Sequence, residues 1–212
     1  MESSVHTTRN WRLGLPFGIV LSILVIDQIT KVVVLNTMER GQSIPLLGSW
    51  LRFTFTENPG MAFGLSFGPP ATITILSIVA TGLIVYYLLA VARYYTPYAV
   101  SLSLVLGGAL GNIIDRVFYG RLLYDRPLFQ GHVVDFIHVD VWRGYVSEAV
   151  PFLGGNYMAL FPIWNVADMA IVVGVAGILI FQKSFHAFEV SRTSLPGDPG
   201  SHGDDPGKER AI

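Results

Sequence analysis

Four stretches of this sequence are apolar for long enough to cross a bilayer, and no other feature limits the possible folds so sharply. They run from Leu13 to Leu35, Pro69 to Val91, Pro97 to Tyr119 and Phe161 to Gln182. At a helical rise of about 1.5 Å per residue the first would be roughly 34 Å long, enough for a hydrocarbon core of about 30 Å. Composition agrees, since 51% of the 212 residues are hydrophobic and 14% are charged, whereas soluble domains carry about 25% charged residues. The expected fold is a mainly α membrane protein of four transmembrane helices. A small extramembrane β-cradle and an irregular or helical outer-face loop would complete it.

The remaining segments sort around these spans. Residues 1–12 read as a cytoplasmic lead, 13–182 as one four-span domain, and 190–212, rich in Pro, Gly and charge, as a disordered cytoplasmic tail. Arg9 and Arg12 precede the first span in the manner of a secretory signal, but no small-residue cleavage site follows, so the run reads as a retained anchor. Segment 36–68 is broken by Gly41, Pro45, Gly48, Pro59 and Gly60, and within it Trp50–Thr56 has the aromatic and β-branched content of a strand. The turn at Arg93–Pro97 is short, which makes spans two and three antiparallel neighbours; the tyrosines around it suit a membrane interface. Both termini then lie in the cytoplasm, and segments 36–68 and 120–160 share the outer face.

Several chemistries are excluded early. The sequence has no cysteine, so disulfides, thiolate metal sites and cysteine nucleophiles are absent. Lys and Arg number 14 against 15 Asp and Glu, so no positive field exists for nucleic acid. His132, Asp135, His138 and Asp140 lie close in sequence but match no standard zinc spacing. No serine has a recognisable elbow or partnered base. No metal and no cofactor are expected.

Carboxylates inside apolar runs need a reason. Asp27 and Lys31 are four residues apart on one helix face and can pair. Asn58, in ENPGMAFGL, stands between a strand and a turn. Asn112 with Asp115, and Asn165 with Asp168, repeat N-x-x-D at span ends, a spacing at which each Asn can orient groups beside its Asp. Asp115 has Arg116 beside it, which favours a charged, fixed carboxylate within the scaffold. Asp135 and Asp168 have no adjacent cation and sit among Val, Phe, Trp, Ala and Met. Brought together at one membrane boundary, they would share a proton, one acting as base and the other as acid. Separate interfacial aspartates are the alternative.

In these motifs the sequence resembles the bacterial lipoprotein signal peptidases, also called signal peptidase II. The match follows DQITK at 27–31, ENPGMAFGL at 57–65, GGALGNIIDR at 107–116, VVDF at 133–136 and FPIWNVAD at 161–168. The resemblance implies an aspartyl endopeptidase of the bacterial inner membrane, with Asp135 and Asp168 as the catalytic pair. Asp27, Lys31, Asn58, Asn112, Asp115, Arg116 and Asn165 would be supporting or substrate-binding residues. The implied partners are a prolipoprotein signal peptide with its diacylglyceryl-cysteine and membrane lipid, handled by a monomer with its site at the outer face. The chain departs from the family pattern in RLLYDRPLFQG, which lengthens the link between the DR and VVDF motifs; Asp125 within it reads as a turn residue. A proton- or ion-coupled transporter is the rival reading, because ionisable residues in spans also mark transport paths.

Overall fold

The structure, a computed structural model, describes residues 8–60, 70–92, 94–151, 154–155, 157–159 and 161–193. Residues 1–7 of the expected lead, 194–212 of the expected tail, and Arg93 of the short turn lie outside the described residues. The elements are α1 (Thr8–Thr37), β1 (Ser43–Leu47), β2 (Leu51–Asn58), α2 (Pro70–Val91) and α3 (Thr96–Ile114). A π-helical turn, Asp115–Tyr119, carries α3 into the short α4 (Gly120–Tyr124). Then follow β3 (Val133–Val139), β4 (Arg143–Tyr145), β5 (Tyr157–Ala159), β6 (Ile163–Trp164) and α5 (Val166–Thr193).

Among the described residues four helical segments are long and apolar enough to cross a membrane: Leu13–Thr37, Ala71–Val91, Thr96–Tyr124 and Val166–Ser191. The third therefore runs beyond the expected Tyr119. The fourth starts at Val166 instead of Phe161, because Ile163–Trp164 is a strand and the helix begins only after Asn165. It also continues past Gln182.

The third span is the axis of the bundle. Tyr98, Ala99, Leu102, Val105 and Leu106 of α3 are buried, while α1, α2 and α5 turn residues such as Phe17, Ile29, Leu76, Leu83, Val173 and Leu179 outward. That pattern suits lipid as the outer solvent. Lipid tails are as apolar as leucine, so close backbone packing has to hold such helices together. Small residues provide it. A Cβ on Gly108 would stand 2.3 Å from the Ala167 carbonyl oxygen, and one on Gly174 would stand 2.6 Å from that of Ser101. At the other end of these helices the Tyr98 and Phe185 rings stack with centroids 4.6 Å apart.

Above the bundle lies an antiparallel sheet of order β1-β2-β3-β6, with β4 and β5 forming a separate hairpin. The strand expected at Trp50–Thr56 is β2. Segment 120–160, expected to be irregular or helical, also contains β3. Val133, Val134, Asp135 and Phe136 are all buried, so this run lacks the alternation that would announce a half-exposed strand. In the β2–β3 register Thr56 faces Asp135, Glu57 faces Val134 and Asn58 faces Val133.

Gly108→Leu should lower the melting temperature of the detergent-solubilised protein, at a cost of about 1–3 kcal/mol or more from overpacking. Gly82, with nothing within 4 Å of its would-be Cβ, should accept alanine without loss.

Candidate active site

The polar residues of α1 meet those of α3 at an ammonium fully removed from solvent. Lys31 Nζ lies 2.9 Å from Asp27 Oδ2 and 2.7 Å from Asp115 Oδ2, and all these side chains are 0% exposed. It also donates to Asn112 Oδ1 at 3.2 Å. The expected pairing of Asp27 with Lys31 is thus one edge of a larger lattice. Gln28, unassigned from sequence, adds a second brace. Its Nε2 donates to Asp27 Oδ2 (3.1 Å), the Gly111 carbonyl (3.2 Å) and Asp115 Oδ1 (3.0 Å), while its Oε1 accepts from the Tyr119 hydroxyl at 3.0 Å. Its signal was a long amide directly after an intramembrane aspartate.

Helix α5 begins against this lattice. Asn165 Oδ1 accepts the backbone N–H of Asp168 at 2.9 Å, and Asp168 Oδ2 accepts that of Asn165 at 3.3 Å. This reciprocal pair is a capping box. Asp27 Oδ1 accepts the N–H of Ala167 at 3.0 Å, so the first turn of α5 rests on a carboxylate from α1. The N-x-x-D spacing at 165–168 therefore has a local explanation. At 112–115 the same spacing works differently, since Asn112 turns its Nδ2 to Asp168 Oδ1 at 2.8 Å.

Asp135 reaches the same place from the sheet. Asn165 Nδ2 donates to Asp135 Oδ1 at 2.7 Å and to Asn112 Oδ1 at 3.1 Å. One asparagine thereby touches both candidate catalytic carboxylates. Asp135 is 2% exposed and also takes a hydrogen bond from the Asn58 side chain. Burial, and then the neighbouring Asp168 carboxylate, push it up from 3.8 to about 7, against the opposing pull of Asn165, Asn58 and Lys31.

The strand is held there by the π-helical turn. Asp115 Oδ2 accepts the Val134 N–H at 3.1 Å, and the Arg116 carbonyl accepts the Gly131 N–H at 2.9 Å. A π turn releases carbonyls from the helical ladder, and the returning chain uses them. Gly131 is required for this approach: a Cβ there would stand 2.1 Å from the Asp115 carbonyl oxygen.

Arg116 lies near enough to feel the charges of Asp168, Asp115 and Asp135, with one guanidinium nitrogen 3.4 Å from Ser77 Oγ. Asn58 Oδ1 accepts the Gly60 N–H at 2.9 Å, the local turn expected for it. Asp125 is exposed and pairs with Arg121 at 2.5 Å. The histidine cluster disperses: His132 turns to Glu57 and Arg126, His138 to Thr54, and Asp140 to Arg143.

Comparison with known proteins is consistent along the chain. Residues 19–184 match the family described as Signal peptidase (SPase) II. A lipoprotein signal peptidase of Amoebophilus asiaticus is 38% identical over 192 residues, covering 84% of this chain and 80% of that protein. One from Pelodictyon phaeoclathratiforme is 34% identical over 174 residues, covering 82% and 92%. A bacterial membrane enzyme solved by the in meso method superposes with a TM-score of 0.60 at 28% identity, covering 87% of this chain and 94% of its own. A second reaches 0.59 at 32% identity, covering 79% and 91%. With a family match over most of its length and four spans under a small antiparallel sheet, this chain belongs to the signal peptidase II family of aspartic-type peptidases.

Proposed function

We propose that this protein removes the signal peptide from diacylglyceryl-modified prolipoproteins, cutting before the lipidated cysteine with Asp135 and Asp168 as its catalytic pair. The observation that carries the reading is Asn165, whose side chain and backbone bind both carboxylates at the mouth of a membrane span. The family and the names of its relatives point to the same substrate. An ion path would need polar groups along its whole length, whereas the candidate carboxylates gather at one end of the bundle. The transport alternative finds no support in the family match.

The two carboxylates are not equivalent. Asp168 accepts bonds from Asn112 and from the Asn165 N–H, and it stands in the first turn of α5, where the helix dipole favours negative charge. Asp135, pushed up to about 7, holds the proton. A water between them attacks the scissile carbonyl, and Asp168 takes its proton as the C–O bond forms. The Asp135 hydroxyl donates to the developing oxyanion. When the C–N bond breaks, the proton on Asp168 passes to the leaving amine, and the pair returns to its singly protonated form.

Lys31, Asp27, Asp115 and Asn112 act through this pair by fixing its carriers. Asn58 and Arg116 face the site and bind substrate backbone or lipid oxygens. The site opens to the outer leaflet of the bacterial inner membrane, with both termini in the cytoplasm. The protein works as a monomer in contact with membrane lipid.

Asp135→Asn and Asp168→Asn should each abolish cleavage of a diacylglyceryl-modified precursor while the protein still inserts; turnover in either variant would sink the pair, and inhibition by a chelator that metal reverses would reinstate the histidines. Because a raised carboxyl is protonated below its pKa, kcat/KM should fall as pH rises through about 7, the value for Asp135, which a pH-rate profile reads directly. Lys31→Met strands two buried carboxylates and should cost about 3–5 kcal/mol of stability, measured by thermal melting in detergent.

A further inference from the structure

Among the described residues, Asp27, Glu57, Asp115 and Asp135 are buried carboxylates, and of these Glu57 lies outside the proposed machinery. Glu57 immediately precedes Asn58 on β2, and its side chain is 2% exposed. Strand alternation sends it, with its register partner Val134, to the face away from Asp135. Tyr124 of α4 donates its hydroxyl to Glu57 Oε1. Arg40 Nη1 and His132 Nδ1 each lie 3.5 Å from Oε2. Arg126 donates to His132 Nε2 at 3.2 Å and lies over the Tyr124 ring, 5.0 Å from its centroid. With Nε2 accepting, the ring proton of the neutral imidazole belongs on Nδ1, facing Glu57. Burial, then Arg126, hold His132 below its ordinary 6.5.

Tyr124, Arg126 and His132 flank or belong to the lengthened link at 121–131. That link is tied down elsewhere too: the Phe129 carbonyl accepts the Thr74 hydroxyl at 3.2 Å, and the Phe129 N–H bonds the Val117 carbonyl at 3.2 Å. Burying a carboxylate on a strand is costly where an apolar residue would pack. At this position it joins the link to the back of the strand whose next residue holds Asp135.

We propose that Glu57 is a positioning residue for the cleavage reaction: by accepting the Tyr124 hydroxyl and facing His132 and Arg40 from behind β2, it fixes the β2–β3 pairing that brings the Asn58 amide onto Asp135. The inference rests on the catalytic pair proposed above. Its consequence is specific, because the Asn58 bond favours the charged form of Asp135 against burial and Asp168, alongside Asn165 and Lys31, with Arg116 as the other charge that feels Asp135. A displaced Asn58 raises the proton affinity of Asp135, and the alkaline limb of the pH-rate profile moves upward.

The test uses full-length protein in detergent with diacylglyceryl-modified precursor, comparing Glu57→Leu, Glu57→Gln, Tyr124→Phe, Asn58→Ala, the Glu57→Leu/Asn58→Ala double variant and Asp135→Asn. Glu57→Leu should lower kcat about tenfold, the equivalent of one hydrogen bond to a charged group. It should also raise the alkaline limb by on the order of half a pH unit. Asn58→Ala should move the limb the same way, with no further shift in the double variant, and Glu57→Gln, which keeps an acceptor for Tyr124, should restore most activity. An unmoved limb in folded Glu57→Leu, or losses that multiply in the double variant, would overturn the proposal. If Glu57→Leu does not fold, Tyr124→Phe decides the matter by the same limb, with a smaller upward shift expected and none overturning. Activity in Asp135→Asn would instead overturn the catalytic pair itself.

Discussion

The ammonium of Lys31 is the interaction on which the rest of the molecule depends. It pairs with both Asp27 and Asp115, all three side chains fully removed from solvent, and takes Asn112 as a further partner. Isolated charges are prohibitively costly there, whereas a triad with its remaining oxygens hydrogen-bonded can persist. Each partner then has a second engagement. Asp27 caps α5, Asp115 holds β3 through Val134, and Asn112 orients Asp168. One buried cation therefore ties α1, α3 and α5 and the strand β3 to a single place.

That arrangement explains why the site lies at a span's end. A helix N-terminus has unsatisfied N–H groups that need acceptors, and in a bilayer water is not available to supply them. Asn165, Asp168 and Asp27 meet that need for α5. The same side chains form the environment of the proposed catalytic pair, so folding requirement and chemistry coincide. Close packing through Gly108 and Gly111 keeps α3 near enough for the lattice to close: a Cβ on Gly111 would stand 2.5 Å from Asp27 Oδ2.

Much of this was legible from residues alone. Apolar runs of span length announce membrane helices because the bilayer imposes that length, and aspartates within such runs stand out because the medium penalises them. The strand β3 was hidden because Val133–Phe136 is buried on both faces and loses the alternation that marks a strand. Helix ends were blurred because Phe161 and Ile163 are as apolar as the span that follows. Gln28, an uncharged residue between Asp27 and Ile29, carries little signal in the sequence, although it touches three other groups of the lattice through its amide nitrogen.

By itself the sequence determined the solvent, the number of spans and the short set of polar residues that a bilayer tolerates only with partners, since these follow from composition and run length. It could not determine who those partners are. Asp27 and Ala167 are 140 residues apart when their bond forms, and Asp135 and Asn165 arrive from a sheet and a helix end. Such meetings depend on helix crossings, a π turn and a strand register. Only the tertiary structure decides these, because they arise from the packing of all elements at once.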